Sequence, residues 1–301
     1  MDVVFYDSPG KRAVTQLVQA ALEEGTRRHG DPMVPYWRDP ISGATNIGGA
    51  GAVVILGISN EARDIVAECR ALARPFVIVD KGYTRRKSRG DIEHNAYWRV
   101  SVNALHPEFS LDSVSSAEGR WRMLSIEPEK IRRDSAGYVL LIAPALRVFT
   151  FLGLGDLSAL HLFFVQVAAR LSLLTSKALR FRGKLDAKMS LTKEGWQFAL
   201  GRGSHTKKEN TIAQDIAGAS LIVSHTTNAG VRAVVAGVPV VELGCGVVRP
   251  LAETNPDKVN NPRRYTENER ERFLRWLAWQ QWTLAELASG EAWAHLKPQI
   301  L

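Results

Sequence analysis

The sequence predicts an α/β protein of two domains, each built on a layer of parallel strands flanked by helices. Short β-rich apolar runs alternate with longer stretches of helical spacing along the chain, the pattern of parallel α/β layers and not of a sandwich or a bundle. The length of 301 residues suits two domains of roughly 120 to 150 residues each. Apolar residues make up 45% and charged residues 23% of the chain, so there is apolar surface for sizeable cores and no compositional sign of disorder.

The elements follow in order. Val3-Val4-Phe5-Tyr6, Ala52-Val53-Val54-Ile55-Leu56 and Pro75-Phe76-Val77-Ile78-Val79 predict buried strands, and Tyr97 to Asn103 a further one. Between them Arg12 to Arg28 and Asn60 to Ala73 carry helical spacing, with Leu17, Ala20 and Ala21 on one face and Ile65, Cys69 and Leu72 on another. A first domain over residues 1–118 is expected, and Pro107 to Arg133 has the mixed composition of a linker or edge region. In the second half, Tyr138 to Ala143, Ala178 to Arg182, Leu221 to Val223 and Val238 to Val241 predict strands, and Leu157 to Leu179 a helix, giving a second α/β domain over 119–265. Thr266 followed by Glu269 is a capping-box signature. Phe273, Trp276, Leu277, Gln280, Leu284 and Leu287 then predict one long amphipathic closing helix within 266–301. Trp276, Trp279 and Trp282 are assigned to packing rather than to base stacking.

Composition and motifs exclude several function classes. The N-terminal Met1-Asp2-Val3-Val4-Phe5-Tyr6 lacks the pattern of a signal peptide, and no apolar run is long and uninterrupted enough for a bilayer. A cytoplasmic protein with no membrane partner is expected. Cys69 and Cys245 are too few for a disulfide scaffold or a four-cysteine zinc site. His94, His106 and His225 are scattered with no His-Glu-x-x-His pattern, so no metal is assigned. The formal net charge of +8 favours a polyanionic partner: nucleic acid, an anionic glycan or a membrane surface.

The most informative segment runs from Leu221 to Val240. A buried strand ends in Ser224-His225-Thr226-Thr227-Asn228, a small-residue helix begins at once, and Gly237-Val238-Pro239 turns into the next strand. Backbone amides at such a helix start, joined by the hydroxyls of Ser224, Thr226 and Thr227, form a candidate anion site; the alternative is that Ser224 or Thr227 caps the helix. At the end of the Ala178–Arg182 strand, alternation puts Arg180, Arg182 and Lys184 on one side, where cations can neutralise a leaving diphosphate. Asp80-Lys81-Gly82-Tyr83 follows a first-domain strand, placing Asp80 beyond a strand carboxyl end as a candidate general base. Gly10, in Ser8-Pro9-Gly10-Lys11-Arg12, allows close backbone approach to a sugar or phosphate, in a segment without the spacing of a P-loop.

The Ser224–Pro239 segment resembles the donor-site motif of GT-B-fold glycosyltransferases, of capsule-polysaccharide type and of the phage type that modifies DNA, over most of residues 138–298. That resemblance implies two facing Rossmann-like domains with a C-terminal helix packing back across them, and a nucleotide-sugar donor, UDP-sugar foremost, with no further cofactor. It implies donor contacts from Ser224, His225, Thr226, Thr227, Asn228, Arg182, Lys184 and Gly10, with Glu242 on the ribose. The proline and histidine that usually end the Ala178–Arg182 strand in that family are absent here, and no Asp-x-Asp occurs, in keeping with metal-independent chemistry. Asp80-x-Gly82-Tyr83 resembles the acceptor element of the phage enzymes. Basic residues beside it, Lys81, Arg85, Arg86, Lys87 and Arg89, together with Tyr83, are expected to contact double-stranded DNA, with a hydroxymethylpyrimidine as acceptor. The rival expectations are a cell-surface polysaccharide acceptor, a non-catalytic DNA-binding protein on the same scaffold, and a sugar-nucleotide epimerase.

Overall fold

A computed structural model describes residues 1–7, 13–84, 97–107, 109, 118–124, 126–133, 136–183 and 211–301. The chain divides into two compact units, Met1–Pro107 with Leu277–Leu301, and Glu108–Trp276. In chain order the first unit contributes β1 (Val3–Asp7), α1 (Ala13–Arg27), β2 (Met33–Pro35), β3 (Ala52–Leu56), α2 (Asn60–Ala71), β4 (Phe76–Lys81) and β5 (Trp98–Val102). The second contributes α3 (Glu118–Met123), β6 (Tyr138–Ile142), α4 (Leu146–Phe151), α5 (Leu157–Leu174), β7 (Leu179–Arg182), α6 (Ile212–Ala217), β8 (Ala219–Ser224), α7 (Ala229–Val235) and β9 (Val240–Glu242). The chain then runs through α8 (Glu267–Ala278) to β10 (Gln281–Trp282), α9 (Leu284–Ser289) and α10 (Glu291–Ile300).

Both sheets are wound the same way. In the first, β2, β1, β3 and β4 lie side by side and parallel, with β5 antiparallel to β4 and β10 antiparallel to β5. In the second, β7, β6, β8 and β9 are all parallel. Within each, the first strand in sequence sits between the second and the third. The chain therefore reverses its direction of winding between β1 and β3, and again between β6 and β8, and ligands of such sheets gather beyond the strand carboxyl ends at that reversal. The expected α/β class and parallel layers are present.

Buried strands on both faces explain why the sheets are continuous apolar runs: β3 and β6 are buried along their whole length. The first core joins Val3, Phe5, Val54, Val77 and Val100 to Val18 and Leu22 of α1 and to Trp282, Trp293 and Leu296 from the C-terminal segment. The second joins Val139, Leu141, Leu221 and Val223 to Leu160, Phe164, Ala168 and Leu171 of α5. By length and mean hydropathy, 1.6, α5 is apolar enough to cross a membrane, and that one stripe of it lies in the core of its unit.

The tail differs from the single helix expected. Helix α8 stops at Ala278, and Gln281 and Trp282 then pair with Arg99 and Trp98 as a sixth strand of the first sheet. Thr283 and Glu286 form a capping box that starts α9, and Gly290, at φ 83°, ends it. The regular spacing of Trp276, Gln280, Leu284 and Leu287 arises because each element buries residues in turn, not because one helix carries them all. The helix expected to reach Leu179 likewise ends at Leu174, where Thr175 turns extended. The short β2 and α4 carried no clear periodicity of their own.

The C-terminal segment is fixed to its unit by close contacts. Trp293 Nε1 donates to Asp31 Oδ2 at 2.7 Å, and Lys297 Nζ lies 2.7 Å from the same oxygen. Helix α1 approaches α9 so closely that a Cβ on Gly25 would stand 2.0 Å from the carbonyl oxygen of Leu287. Gly25→Ala is therefore expected to destabilise the protein by about 1–3 kcal/mol through overpacking against backbone that cannot rotate away, read as a lower urea midpoint; an unchanged midpoint would contradict this packing.

Candidate functional site

The site in the second unit is built at the carboxyl ends of β8 and β9, beside the winding reversal between β6 and β8. Ser224 closes β8 in register with Ile142 on one side and Glu242 on the other. Beyond them two loops face each other, Thr226–Asn228 and Gly244–Gly246, and the Glu242 carboxylate holds both. It accepts from Ser224 Oγ at 2.7 Å, from the Thr226 amide at 2.6 Å and from the Gly244 amide at 3.0 Å, and the Gly246 amide adds a further bond. Glu242 is 1% exposed. Burial pushes its carboxyl up, and these hydrogen bonds oppose that push. A Cβ on Gly246 would meet the carboxylate at 2.6 Å, so the second loop closes over it with no room for a side chain.

The first loop is strained. Thr226 sits at φ 48°, a left-handed conformation that a β-branched residue adopts at a cost of about 1–3 kcal/mol. Its amide is bound by Glu242, and its Oγ1 accepts from the Cys245 amide at 3.1 Å, so the conformation is fixed from both sides. Thr227 Oγ1 accepts from the Ala229 amide at 3.3 Å, and half-buried Asn228 is the N-cap of α7 without a side-chain cap bond. His225 is buried, its ring lying against Gly244 of the second loop, where a Cβ would meet Cε1 and Nδ1 at 2.9 Å. Its ring lies 5.3 Å from that of Phe163 and 5.9 Å from that of Phe149, and burial lowers its pKa.

The expected donor residues thus divide by orientation. Thr226, Thr227 and Asn228 form the loop, whereas Ser224 and Glu242 point inward and brace it. The Glu242 oxygens accept from three backbone amides and the Ser224 hydroxyl. Arg180 and Arg182 alternate to one face of β7 as expected, with Leu179 and Phe181 in the core on the other. The guanidinium of Arg182 is engaged with the fully buried Asp215 of α6. Arg232, in the last turn of α7 and exposed, was not singled out from the sequence; desolvation and then the charge of Arg182 lower its pKa. Gly237, at φ 68°, lies against the backbone of Lys130 and Ile131 and ends α7, a structural role. Gly10 and Lys184 lie outside the described residues.

In the first unit, Asp80 lies near the end of β4, opposite Arg99 of β5. The two form a buried ion pair at 2.9 Å. Arg99 Nη1 and the Tyr83 hydroxyl each lie 3.0 Å from His106 Nδ1. Because a guanidinium only donates, Nδ1 is the acceptor and the ring is the neutral Nε2–H tautomer. Burial, then the Arg99 charge, holds the His106 pKa well below 6.5. Gln281 of β10 accepts from the amides of Tyr83 and Thr84 and fixes the loop after β4. Tyr83 is 2% exposed, which corrects the expectation that it contacts DNA: its ring is core and its hydroxyl belongs to this network. Lys81 is exposed, and Arg85, Arg86, Lys87 and Arg89 lie outside the described residues. Arg99, His106 and Gln281 escaped the sequence reading because their partners come from strand pairing. Among the described residues no group of three His, Cys, Asp or Glu side chains could hold a metal ion.

Two outcomes are expected from these networks. Glu242→Gln sets an amide NH2 against donors that need an acceptor and should cost about 1–3 kcal/mol for the buried groups left unsatisfied, measured by urea unfolding; a neutral effect would show that the carboxylate does not brace the loops. The neutral His106 makes folding stability fall as pH drops below 6.5, where only the unfolded chain takes up the proton. The slope approaches about 1.4 kcal/mol per pH unit for one group, and His106→Gln should reduce it; an identical pH profile for that variant would contradict the assignment.

No family model matches the chain, and no curated protein matches it in sequence. Among solved structures, the chain is similar to the beta Kdo 2,4 transferase of KpsC from Thermosulfurimonas dismutans, with 15% identity, 91% of this chain and 88% of that chain covered, and a TM-score of 0.48. It is similar to MurG of Acinetobacter baumannii, with 11% identity, 99% and 98% covered, and a TM-score of 0.33. A putative UDP-N-acetylglucosamine 2-epimerase from Listeria monocytogenes matches with 12% identity, 99% and 96% covered, and a TM-score of 0.31.

Proposed function

We propose that this chain is a nucleotide-sugar-dependent glycosyltransferase whose donor nucleotide, a UDP-sugar foremost, seats on the loops beyond β8 and β9. The observation that carries the reading is Thr226, a β-branched residue held in a left-handed conformation between two bracing contacts at a strand carboxyl end. Strain that the surrounding structure over-determines collects where a backbone must meet a ligand in one shape. The position beside the winding reversal supports a ligand there on independent grounds. The resemblance of Ser224–Pro239 to the GT-B donor motif narrows the ligand to a sugar nucleotide. In this reading Thr226, Thr227 and Asn228 meet the phosphates, and the exposed Arg232 supplies positive charge as the diphosphate leaves, Arg182 being neutralised by Asp215. No metal or further cofactor is invoked.

Asp80 keeps a place in the reading as a fixed anion on the acceptor side. Taking up the acceptor's proton would leave Arg99 a buried charge without its counter-ion, so Asp80 is proposed to orient an acceptor hydroxyl more than to deprotonate it. The acceptor is proposed to be a saccharide of a cell-surface polysaccharide, on the resemblance of the same segment to capsule-type enzymes. The net charge of +8 favours a second acceptor, 5-hydroxymethylcytosine or 5-hydroxymethyluracil in double-stranded DNA.

One experiment separates these. The protein is incubated with a panel of UDP-sugars and with either surface-glycan oligosaccharides or hydroxymethylated DNA, and both UDP release and acceptor mass are read. Acceptor-dependent UDP release with a sugar-sized mass gain on the glycan is the expected result. A gain on DNA instead moves the acceptor, and turnover of the donor sugar without any acceptor contradicts the transferase. Cys245 offers a second reading of the same site: it is exposed beside Thr226, whereas burial pushes the Cys69 thiol up to about 12. Maleimide labelling should modify Cys245 alone, and UDP should slow it; labelling indifferent to UDP would place the nucleotide elsewhere.

A further inference from the structure

The first unit holds a pocket of about 340 Å³ that the donor site does not use. It lies at the carboxyl ends of β1 and β2, beside the reversal between β1 and β3, where an open parallel sheet leaves room for a ligand. Its volume is in the range of small-molecule sites. Tyr6, from the end of β1, and Tyr36, just after β2, form one wall, with ring centroids 5.6 Å apart and planes at 85°. Ile65 lies at the base, 3% exposed. Glu61, Asp64 and Glu68 project from the same face of α2, Asp64 paired with Arg63 at 3.1 Å, and Arg38 is the cation among the described lining residues.

The chemistry of these walls selects a ligand. Among the described residues, with Asp64 neutralised by Arg63, Glu61 and Glu68 outnumber the single guanidinium of Arg38 and disfavour phosphates and carboxylates. Two phenol rings meeting at a right angle present π-electron density to a cation, and aromatic faces do not ligate metals. Hydrogen bonds already order the acidic wall: the Tyr6 hydroxyl donates to Glu61 Oε2 at 2.8 Å, and Thr45 Oγ1 donates to Glu68. Burial, and then the neighbouring acidic groups, raise the pKa of both tyrosines, that of Tyr6 to about 12, so the phenols stay neutral. The described residues therefore combine neutral aromatic walls, ordered acceptors and an excess of carboxylate over cation, which is complementary to a protonated amine carried on a small polar frame.

We propose that this pocket binds a small ligand bearing a protonated primary amine, of the amino-sugar class, with the ammonium against the Tyr6 and Tyr36 rings and the Glu61 and Glu68 carboxylates. The site lies in the first unit, and the proposal stands whether or not the chain transfers sugars.

The test is isothermal titration calorimetry of the whole protein with glucosamine, glucose and N-acetylglucosamine, the last two keeping the ring and lacking the charged amine. Glucosamine should bind saturably at one site, at least about tenfold tighter than the other two, since a cation–π contact reinforced by a charge-assisted hydrogen bond exceeds about 1.4 kcal/mol. Tyr36→Leu and the conservative Glu68→Gln should each weaken glucosamine about tenfold while the protein unfolds cooperatively at a normal midpoint; Tyr36 is half-buried, so a fold defect in one variant leaves the other decisive. Absence of saturable glucosamine binding, equal binding of the three sugars, or unchanged affinity in a folded Glu68→Gln protein would each overturn the proposal.

Discussion

The second unit's site depends on one buried carboxylate. Glu242 gathers the ends of β8 and β9 by taking hydrogen bonds from Ser224, Thr226 and Gly244, and the Thr226 hydroxyl adds a second tie by accepting from the Cys245 amide. An ionised or partly ionised carboxylate out of water is tolerated only where donors replace its hydration, and here those donors are the loop amides themselves. The left-handed Thr226 and the crowded Gly244 and Gly246 follow from that demand: each backbone segment must curl inward to deliver its N–H. The outer surface that a phosphate would meet is shaped from within.

The first unit solves a similar problem with a different polar group. Its loop after β4 is fixed by the Gln281 carboxamide, which arrives on β10, a strand of two residues added by the C-terminal segment. Beneath it the Asp80–Arg99 pair and the His106–Tyr83 hydrogen bond form a closed network across β4 and β5. Removing one partner of such a pair costs far more than the pair contributes, because the remaining charge is stranded. Loss of activity on changing Asp80 therefore carries meaning only beside a measured stability.

The strands were legible in the sequence because burial on both faces writes itself as an unbroken apolar run, as in Ala52–Leu56 and Tyr138–Ile142. The strand-to-helix turn was legible too, because the hydroxyl-rich Ser224–Asn228 run stands between an apolar strand and a small-residue helix. What stayed hidden was direction. Whether Glu242 faces a ribose or its own loop depends on which amides the backbone offers, and no local pattern encodes that. Arg99 and His106 were silent for a related reason: Asp80 meets Arg99 only through antiparallel register, and Tyr83 meets His106 only once that hairpin is packed. The tail misled because Trp276, Gln280 and Leu284 keep a helical period across a break that the pairing of Gln281 and Trp282 with β5 imposes.

The central claim is that a nucleotide seats on the loops beyond β8 and β9. Hydrogen–deuterium exchange read by mass spectrometry, with and without saturating UDP, tests it most directly, because the strained backbone of Thr226 and the glycine-rich loop opposite it would have to be stilled by the ligand. The account predicts slowed exchange concentrated in peptides covering 224–230 and 243–248. Slowing confined to the first unit, or none at all where UDP is shown to bind, would contradict it.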